Sequence, residues 1–205
     1  MNKGLFISIE GPDGSGKSTQ LKNIIKYFQD KEVRLVFTRE PGGTKIGEKI
    51  RSIILDRDNM EMTDMTEALL YAAARAQHVE EKIRPSLLEG KTVLCDRYVD
   101  SSIAYQGYGR NLGESVSLIN DYAISGIKPD VTIFLALEPE VGRNRIKHDD
   151  KDRLEIEKAD FHQRVYDGYM RLAEEEPDRY QIVDASKDIE SVKNDIFRVL
   201  DGLGY

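Results

Sequence analysis

Apolar positions divide the chain into five short strand-like runs separated by longer helical stretches. The runs have the length of strands and lie at residues 5–9, 33–37, 92–95, 131–137 and 180–183. Between them, apolar residues recur at helical spacing near residues 17–30, 45–55, 66–83, 114–125, 138–147, 156–173 and 188–201. Strands that alternate with helices predict one α/β domain over residues 1–205, with a five-stranded parallel sheet between two layers of helices.

The residues that follow the first strand form the most informative motif. Gly11-Pro12-Asp13-Gly14-Ser15-Gly16-Lys17-Ser18 fits the phosphate-binding loop, Gly, four residues, Gly-Lys-Ser/Thr, at every fixed position. Glycines let successive backbone N–H groups curl around a phosphate, Lys17 can reach the β- and γ-phosphates, and the Ser18 hydroxyl can bind Mg²⁺. An ordinary glycine-rich turn is disfavoured, because a strand precedes the motif and a helix follows it. We therefore predict a P-loop NTPase-type three-layer α/β/α sandwich that binds a nucleoside triphosphate.

Two further motifs follow predicted strands, where ligands of parallel sheets bind. Thr38-Arg39-Glu40-Pro41-Gly42-Gly43-Thr44 predicts a tight loop, for which a turn with solvated charges is an equal alternative. Cys95-Asp96-Arg97-Tyr98 ends the third strand. An aspartate there typically orients Mg²⁺ through water, and Arg97 can direct two donors at phosphate oxygens. A merely structural Asp-Arg turn is the other interpretation.

The predicted helix at residues 66–83 carries an arginine on its apolar face. Arg75 shares that face with Ala68 and Ala72, and Tyr71 lies one turn earlier. An arginine turned toward a core is costly unless it meets an anion or several acceptors. Arg75 therefore reaches into a pocket, or it lies at the border of the face and extends to water. We predict that Pro85 and Gly90 end this helical segment.

Two later segments are interpreted from composition. Residues 100–110 predict a long polar and aromatic loop, whose hydroxyl, amide and ring groups suit recognition of a heterocycle. A basic stretch follows the fourth strand and contains Arg143, Arg145 and Arg153. We interpret residues 143–155, approximately, as a lid that closes arginines over a transferring phosphoryl group. A solvated helix end is the alternative for most of these residues.

Composition and charge narrow the function classes. The chain is 40% hydrophobic and 33% charged, as expected of a soluble globular protein. Its net charge of −7 argues against a protein that coats nucleic acid or an anionic membrane. The single cysteine, Cys95, is expected in the core. Neither a signal peptide nor a membrane-spanning run is predicted, so we expect the cytoplasm.

The chain resembles the thymidylate kinases nearly from end to end. The resemblance is carried by Ile9-Glu10-Gly11-Pro12-Asp13-Gly14-Ser15-Gly16-Lys17-Ser18-Thr19, Thr38-Arg39-Glu40-Pro41-Gly42-Gly43-Thr44, Ala73-Ala74-Arg75, Asp96-Arg97-Tyr98, Ser101-Ser102, Ala104-Tyr105-Gln106-Gly107, and Asp152-Arg153 with Glu155. The phosphate loop alone occurs in many families. The Arg-Glu-Pro-Gly-Gly-Thr loop together with the Asp-Arg-Tyr segment is far more specific.

The resemblance implies transfer of the γ-phosphoryl group of ATP to dTMP, with Mg²⁺, in a homodimer that pairs through helices flanking the site. It implies ATP and phosphate contacts at Gly11, Pro12, Asp13, Gly14, Ser15, Gly16, Lys17, Ser18, Thr19 and Arg143. It implies dTMP contacts at Glu40, Arg51, Tyr71, Arg75, Arg97, Ser101, Ser102, Tyr105 and Gln106. Ser18 and Asp96 would hold the metal, and the catalytic residues would be Lys17, Arg97, Arg153 and Asp13.

Within that set, the resemblance gives several residues separate roles. Arg51 and Arg97 hold the acceptor phosphate, and Asp13 lies near it and the sugar. Tyr71 stacks on thymine. The base contacts come from Arg75, Ser102 and Gln106, and Tyr105 helps to exclude a 2′-hydroxyl. No general base is required, because the acceptor phosphate is already ionised near neutral pH.

Two positions depart from the family pattern. Tyr71 stands where Phe is common, which adds a hydroxyl that needs a partner. Gly14 stands where one branch of the family carries a catalytic arginine, so this chain resembles the bacterial-type branch, whose arginine comes from the lid. Arg143, Arg145 and Arg153 are the candidates, and Arg153 is favoured because Asp152-Arg153 matches a recurring family element.

Two other functions are compatible with a phosphate-binding loop. A deoxynucleoside kinase must deprotonate a sugar hydroxyl, and Glu40 could then serve as its base. A GTPase-like switch would read guanine with an Asn-Lys-x-Asp element, which the sequence lacks.

Overall fold

The fold is built on a five-stranded parallel sheet, as the alternation of strands and helices predicts. The computed structural model describes residues 4–145 and 153–205. Its strands are β1 (Phe6–Glu10), β2 (Leu35–Arg39), β3 (Thr92–Asp96), β4 (Val131–Ala136) and β5 (Tyr180–Asp184). They pair in the order β2-β3-β1-β4-β5, every neighbouring pair parallel. The predicted α/β sandwich is confirmed.

Helices cover both faces of the sheet. Those of the described residues are α1 (Lys17–Asp30), α2 (Lys45–Leu55), α3 (Asp64–His78), α4 (Arg84–Leu88), α5 (Val99–Ser102), α6 (Glu114–Ile124), α7 (Pro139–Arg145), α8 (Ala159–Glu175) and α9 (Ile189–Gly202). Two of the described segments are π-helical. Val79–Ile83 joins α3 to α4, and Ile103–Gly109 continues α5. None of these helices has the length and apolar composition needed to cross a membrane.

Successive side chains of the central strand β1 pack on opposite faces of the sheet. Ile7 and Ile9 pack into the apolar cluster that contains residues of α1 and α9. Phe6 packs on the other face with residues of the Val79–Ile83 segment, α4 and β3. Cys95 of β3 is fully buried, which confirms its predicted place in the core. Glu10 is fully buried as well, at the carboxyl end of β1, where the core meets the site.

The prediction of a loop over residues 100–110 is wrong, because α5 and the Ile103–Gly109 segment form there instead. Close packing against α8 explains the difference. A Cβ on Gly109 would lie 2.7 Å from a ring atom of Phe161, and one on Gly168 would lie 2.7 Å from the Tyr108 ring. Contacts this close stabilise a helical backbone that the local polar composition does not predict.

The helical segment that we predicted to end at Pro85 and Gly90 ends between these two residues, at Leu88. Helical backbone runs from Asp64 through the Val79–Ile83 segment to Leu88, and the turn at Gly90 follows with a φ of 70°. Pro85 lies in the first turn of α4, where a missing backbone N–H is tolerated. The predicted lid is described only in part: Arg143 and Arg145 end α7, and residues 146–152 lie outside the described residues.

Candidate active site

A cavity of about 450 Å³ opens at the carboxyl edge of the sheet. Most of the residues predicted for the two nucleotides and the metal line it: Asp13, Gly14, Gly16, Lys17, Ser18, Thr19, Glu40, Arg51, Tyr71, Arg75, Asp96, Arg97, Ser101, Ser102, Tyr105 and Gln106. Arg145 and Glu155 also line it. Gly11, Pro12, Ser15, Arg143 and Arg153 are outside this lining.

The phosphate-binding loop is shaped by glycines in the left-handed region. Gly11, Gly14 and Gly16 have φ values of 148°, 79° and 88°, which a residue with a Cβ rarely adopts. The Lys17 amine donates to the Gly11 and Pro12 carbonyl oxygens at 2.9 and 3.0 Å. Burial and the nearby Arg97 lower the pKa of Lys17 to about 8, although Asp13 and Asp96 act in the opposite direction. A bound phosphate would therefore favour the charged amine.

Arg97 is anchored to the same loop from the end of β3. Its guanidinium forms an ion pair with Asp13, whose other oxygen accepts from the Tyr105 hydroxyl at 3.0 Å. Burial raises the pKa of Asp13, but Arg97 and Lys17 outweigh burial and hold this pKa below its usual value. Arg97 has a φ of 65°, uncommon for a residue with a side chain. Such strain, typically about 1–3 kcal/mol, is found where function requires the conformation.

Glu10 holds the residues that follow Arg97 through hydrogen bonds, although we did not single it out from the sequence as a site residue. Its carboxylate accepts from the Tyr98 backbone N–H at 2.7 Å, the Ser101 hydroxyl at 2.6 Å and the Tyr169 hydroxyl at 2.9 Å. Burial, followed by the charge of Asp100, raises its pKa to about 7. The signal in the sequence is an acidic residue at the end of a buried strand, directly before the loop.

Arg75 is turned inward, so the alternative of an arginine that extends to water is excluded. It is 1% exposed, and its Nε donates to Glu40 at 2.7 Å. Its two terminal nitrogens donate to the Ser102 hydroxyl at 2.9 Å, to Asn120 and to the Tyr98 carbonyl at 3.0 Å. Glu40 also contacts His78 Nδ1 at 2.8 Å. Asn120 and His78 are site-supporting residues that we did not single out from the sequence. Asn120 lies outside the motifs, and His78 lies three residues after Arg75.

Ser18 and Asp96 are suited to hold Mg²⁺ together with a nucleotide. Both line the cavity, and Asp96 Oδ1 is buried without a hydrogen-bond partner. Mg²⁺ bound with nucleotides takes one or two protein oxygens and completes its shell with phosphate oxygens and water. No cluster of three or more His, Cys, Asp or Glu side chains that could hold a metal occurs in the described parts of the chain. A metal at Asp96 would thus take most of its ligands from phosphate and water.

Comparisons with known proteins agree with this geometry. A sequence model of the family described as thymidylate kinase matches residues 9–196. The chain belongs to the thymidylate kinase family. A thymidylate kinase of Clostridium novyi is 47% identical over 200 residues, which cover 96% of this chain and 98% of the relative. One of Lactobacillus helveticus is 52% identical, over 97% and 96% of the two chains. The crystal structure of thymidylate kinase from Ehrlichia chaffeensis matches with a TM-score of 0.79 at 32% identity, over 97% of this chain and 99% of that one.

In this member of the thymidylate kinase family, the phosphate-binding loop is in contact with α7. The Gly142 backbone of α7 lies against Gly14, so no side chain fits at position 14. An arginine carried by the loop, as in one family branch, is therefore sterically excluded. The contact also brings α7, which ends with Arg143 and Arg145, to the phosphate-binding loop.

Two of the three candidate arginines, Arg145 and Arg153, lie in different surroundings. Arg145 lines the cavity, and one of its terminal nitrogens donates to the Ala185 carbonyl at 3.2 Å. Arg153 is 3% exposed, donates to the Ile54 carbonyl at 3.0 Å and forms an ion pair with Glu67. Arg153 is thus turned away from the cavity in this structure, and its catalytic contact stays a prediction.

Proposed function

We propose that this chain performs the reaction of its family, transfer of the γ-phosphoryl group of ATP to dTMP, inside the cavity at the carboxyl edge. One observation carries the proposal: the same cavity is lined by a phosphate-binding loop and by aromatic and amide side chains suited to a base. Lys17 and Ser18 belong to the first group, and Tyr71 and Gln106 to the second. Two nucleotides can therefore lie in one continuous space with their phosphates facing each other.

The acceptor side is proposed to bind dTMP through charge, stacking and hydrogen bonds. Arg97 and Arg51 hold its phosphate, and Tyr71 stacks on the ring. Arg75, Ser102 and Gln106 contact the base, while Tyr105 lies near the sugar. Glu40 accepts from Arg75, and Asp13 accepts from Tyr105, so both carboxylates hold these groups in place. The Ser101 hydroxyl accepts from a terminal nitrogen of Arg97 at 3.2 Å.

The donor side is proposed to bind ATP through the loop. Its residues, with Arg143 at the adjoining end of α7, are Gly11, Pro12, Asp13, Gly14, Ser15, Gly16, Lys17, Ser18 and Thr19. Backbone N–H groups surround the phosphates, and Lys17 leaves the carbonyl oxygens of its own loop to contact the transferring group. Ser18 and Asp96 hold Mg²⁺, which supplies charge neutralisation on the phosphate oxygens when bound.

No residue needs to remove a proton during transfer. The acceptor phosphate is ionised near neutral pH, so alignment and charge neutralisation are the tasks of the chain. Arg97 and Lys17 both approach Asp13 Oδ1: Arg97 forms an ion pair with this oxygen, and the Lys17 amine lies 3.9 Å from it. These fixed cations offset the repulsion between two anionic nucleotides as they come into line.

We propose Arg145 as the arginine that reaches the transferring group from α7. Arg145 already lines the cavity, whereas the guanidinium of Arg153, the arginine favoured by sequence, is occupied by Glu67 and Ile54. Moving Arg153 into the cavity would leave the fully buried Glu67 without one of its charged partners, which is energetically unfavourable.

We also propose a homodimer in the cytoplasm. Helix α3 packs against both α2 and α6, and these three helices expose large apolar side chains: Ile46, Ile53, Met65, Leu69, Leu118 and Tyr122. A shared apolar face of this kind is typical of an interface between subunits. Sedimentation equilibrium of the protein and of Leu118→Asp tests the pairing. Monomers at micromolar concentration for both proteins would contradict it.

A panel of acceptors tests the reaction. With ATP and Mg²⁺, ADP release should depend on dTMP and be at least 100-fold slower with thymidine, dCMP, dAMP or dGMP. Faster turnover with thymidine would favour a deoxynucleoside kinase, in which Glu40 acts as base. A stable GTP complex without acceptor-dependent turnover would favour a nucleotide switch.

A further inference from the structure

Glu67 is a fully buried carboxylate that the predicted chemistry does not use. It lies on α3, one turn before Tyr71. One oxygen accepts from Gln106 Nε2 at 2.9 Å and from Arg110 Nε at 3.3 Å. The other accepts from an Arg110 terminal nitrogen at 3.1 Å and from Arg153. A buried carboxylate with four donors, in direct contact with a cavity residue, needs an explanation beyond packing.

The chemistry of Glu67 determines which end of the Gln106 amide faces it. A carboxylate that meets two guanidinium groups is ionised, and an ionised carboxylate can only accept hydrogen bonds. The Gln106 atom in contact with Glu67 must therefore be the amide nitrogen, whatever else the side chain contacts. Because Gln106 lines the cavity, its amide oxygen is the atom left to meet a base.

The two arginines keep Glu67 in this state. Arg110 also pairs with Glu157 at 2.5 Å and lies over the Phe161 ring, with its guanidinium carbon 4.8 Å from the ring centroid. Arg153 is held by the Ile54 carbonyl. Both cations are thus fixed by contacts outside the cavity, so the charge and the orientation of the Glu67 carboxylate do not depend on a bound nucleotide.

We propose that Glu67 is a positioning residue that fixes the Gln106 amide so that its oxygen faces the acceptor base, and thereby selects a pyrimidine with a hydrogen on N3. Thymine carries an N3–H donor, whereas cytosine has an acceptor at N3. An amide oxygen pairs with the first and repels the second. This inference rests on the proposed contact between Gln106 and the base, which it deepens.

The substitution Glu67→Gln tests the orientation, because glutamine both donates and accepts. Its oxygen remains attractive to Arg110 and Arg153, so its amide N–H groups turn toward Gln106, whose oxygen then rotates toward them. The Gln106 nitrogen would face the base. The ratio of kcat/KM for dTMP to that for dCMP should fall at least tenfold, with the KM for ATP within twofold. Arg75 still presents donors to the cytosine amino group, so the selection should weaken without being reversed.

Glu61→Gln is the matched control, because it replaces the same carboxylate by the same amide at an exposed position between α2 and α3. It should leave the ratio within twofold of the unsubstituted enzyme. An unchanged ratio in Glu67→Gln would overturn the inference. So would an equal loss with dTMP, dCMP and ATP, which is the result expected of a merely structural residue.

Two further measurements separate the possible failures. Gln106→Leu should raise the KM for dTMP at least tenfold, and an unchanged KM would overturn the proposed base contact together with the inference.

If Glu67→Gln does not fold, NMR of the unsubstituted protein remains available. The Gln106 side-chain amide protons, assigned by their loss in Gln106→Leu, should exchange at least tenfold more slowly than those of the exposed Gln29. Equal exchange rates would overturn the bond to Glu67.

Discussion

The Gly142 backbone of α7 lies in contact with Gly14 of the phosphate-binding loop. A Cβ on Gly14 would lie 2.3 Å from the Gly142 carbonyl oxygen, and one on Gly142 would lie 2.5 Å from the Asp13 carbonyl oxygen. Both distances are far below van der Waals contact, and Gly14 has a φ of 79° in addition. Neither position can therefore accept a side chain without separating α7 from the loop.

Gly14→Ala should destabilise the protein and weaken ATP binding. The added Cβ meets backbone rather than a flexible side chain, so the loop and α7 must shift apart. Gly126→Ala is the matched control, because Gly126 also has a positive φ, 74°, but no atom within 4 Å of its Cβ position. Urea unfolding should give a loss of about 1–2 kcal/mol for Gly126→Ala and a clearly larger one for Gly14→Ala. Equal losses would indicate that only the backbone angle matters.

Lys17→Ala should lower kcat by about 10³ while the fold remains intact, because the amine is proposed to stabilise the transferring phosphoryl group. The exposed Lys22 of the same helix supplies the control Lys22→Ala. Steady-state kinetics and circular dichroism measure the two effects. Turnover of Lys17→Ala within tenfold of the unsubstituted enzyme would rule out this role.

The pH dependence of kcat/KM for ATP should report the Lys17 amine. Its pKa of about 8 in the protein without nucleotide means that the charge is present below pH 8 and is lost as the pH rises through that value. We expect kcat/KM to fall about tenfold per pH unit above pH 8. The fall in kcat should occur at higher pH, because bound phosphates favour the protonated amine. Lys17→Arg is the control, because the arginine cation does not titrate in this range. If kcat/KM declines above pH 8 in this variant as well, the decline belongs to another group.

Arg75→Ala should raise the KM for dTMP at least tenfold and leave the KM for ATP within threefold. The free energy of unfolding should also fall, by about 3–5 kcal/mol, because the buried Glu40 loses a charged partner. Kinetics and urea unfolding measure these effects, with Arg171→Ala on the exposed side of α8 as the control. Similar changes in both KM values would argue against a role in reading the base.

Arg145→Ala should impair turnover, whereas Arg153→Ala should impair stability and dTMP binding. Removing Arg145 should lower kcat by about 10²–10³ with little change in stability, as expected for a cation that acts on the transition state. Removing Arg153 should lower stability and raise the KM for dTMP, since Glu67 loses a partner. Arg198→Ala, at an exposed position of α9, is the control. A large loss of kcat in Arg153→Ala at unchanged stability would return the catalytic role to Arg153.

Much of the fold follows from local patterns along the chain. The alternation of apolar runs and helical stretches predicts the parallel sheet, because strand and helix periodicities are properties of neighbouring residues. The helical segment at residues 99–109 was missed for a related reason. Its backbone is stabilised by glycine contacts with α8, more than fifty residues away along the chain, and its own composition is polar and aromatic.

By itself, the sequence determined the phosphate-binding loop, the family and most of the residues that line the cavity, since each motif is short and follows directly after a strand. Only the tertiary structure decided which charges neutralise one another. Glu10 accepts from Ser101, His78 contacts Glu40, and Glu67 joins Gln106 to Arg153. The physical reason is that electrostatic and hydrogen-bond partners are chosen by distance in space, and a buried charge binds whichever opposite charge the packing of helices brings within reach.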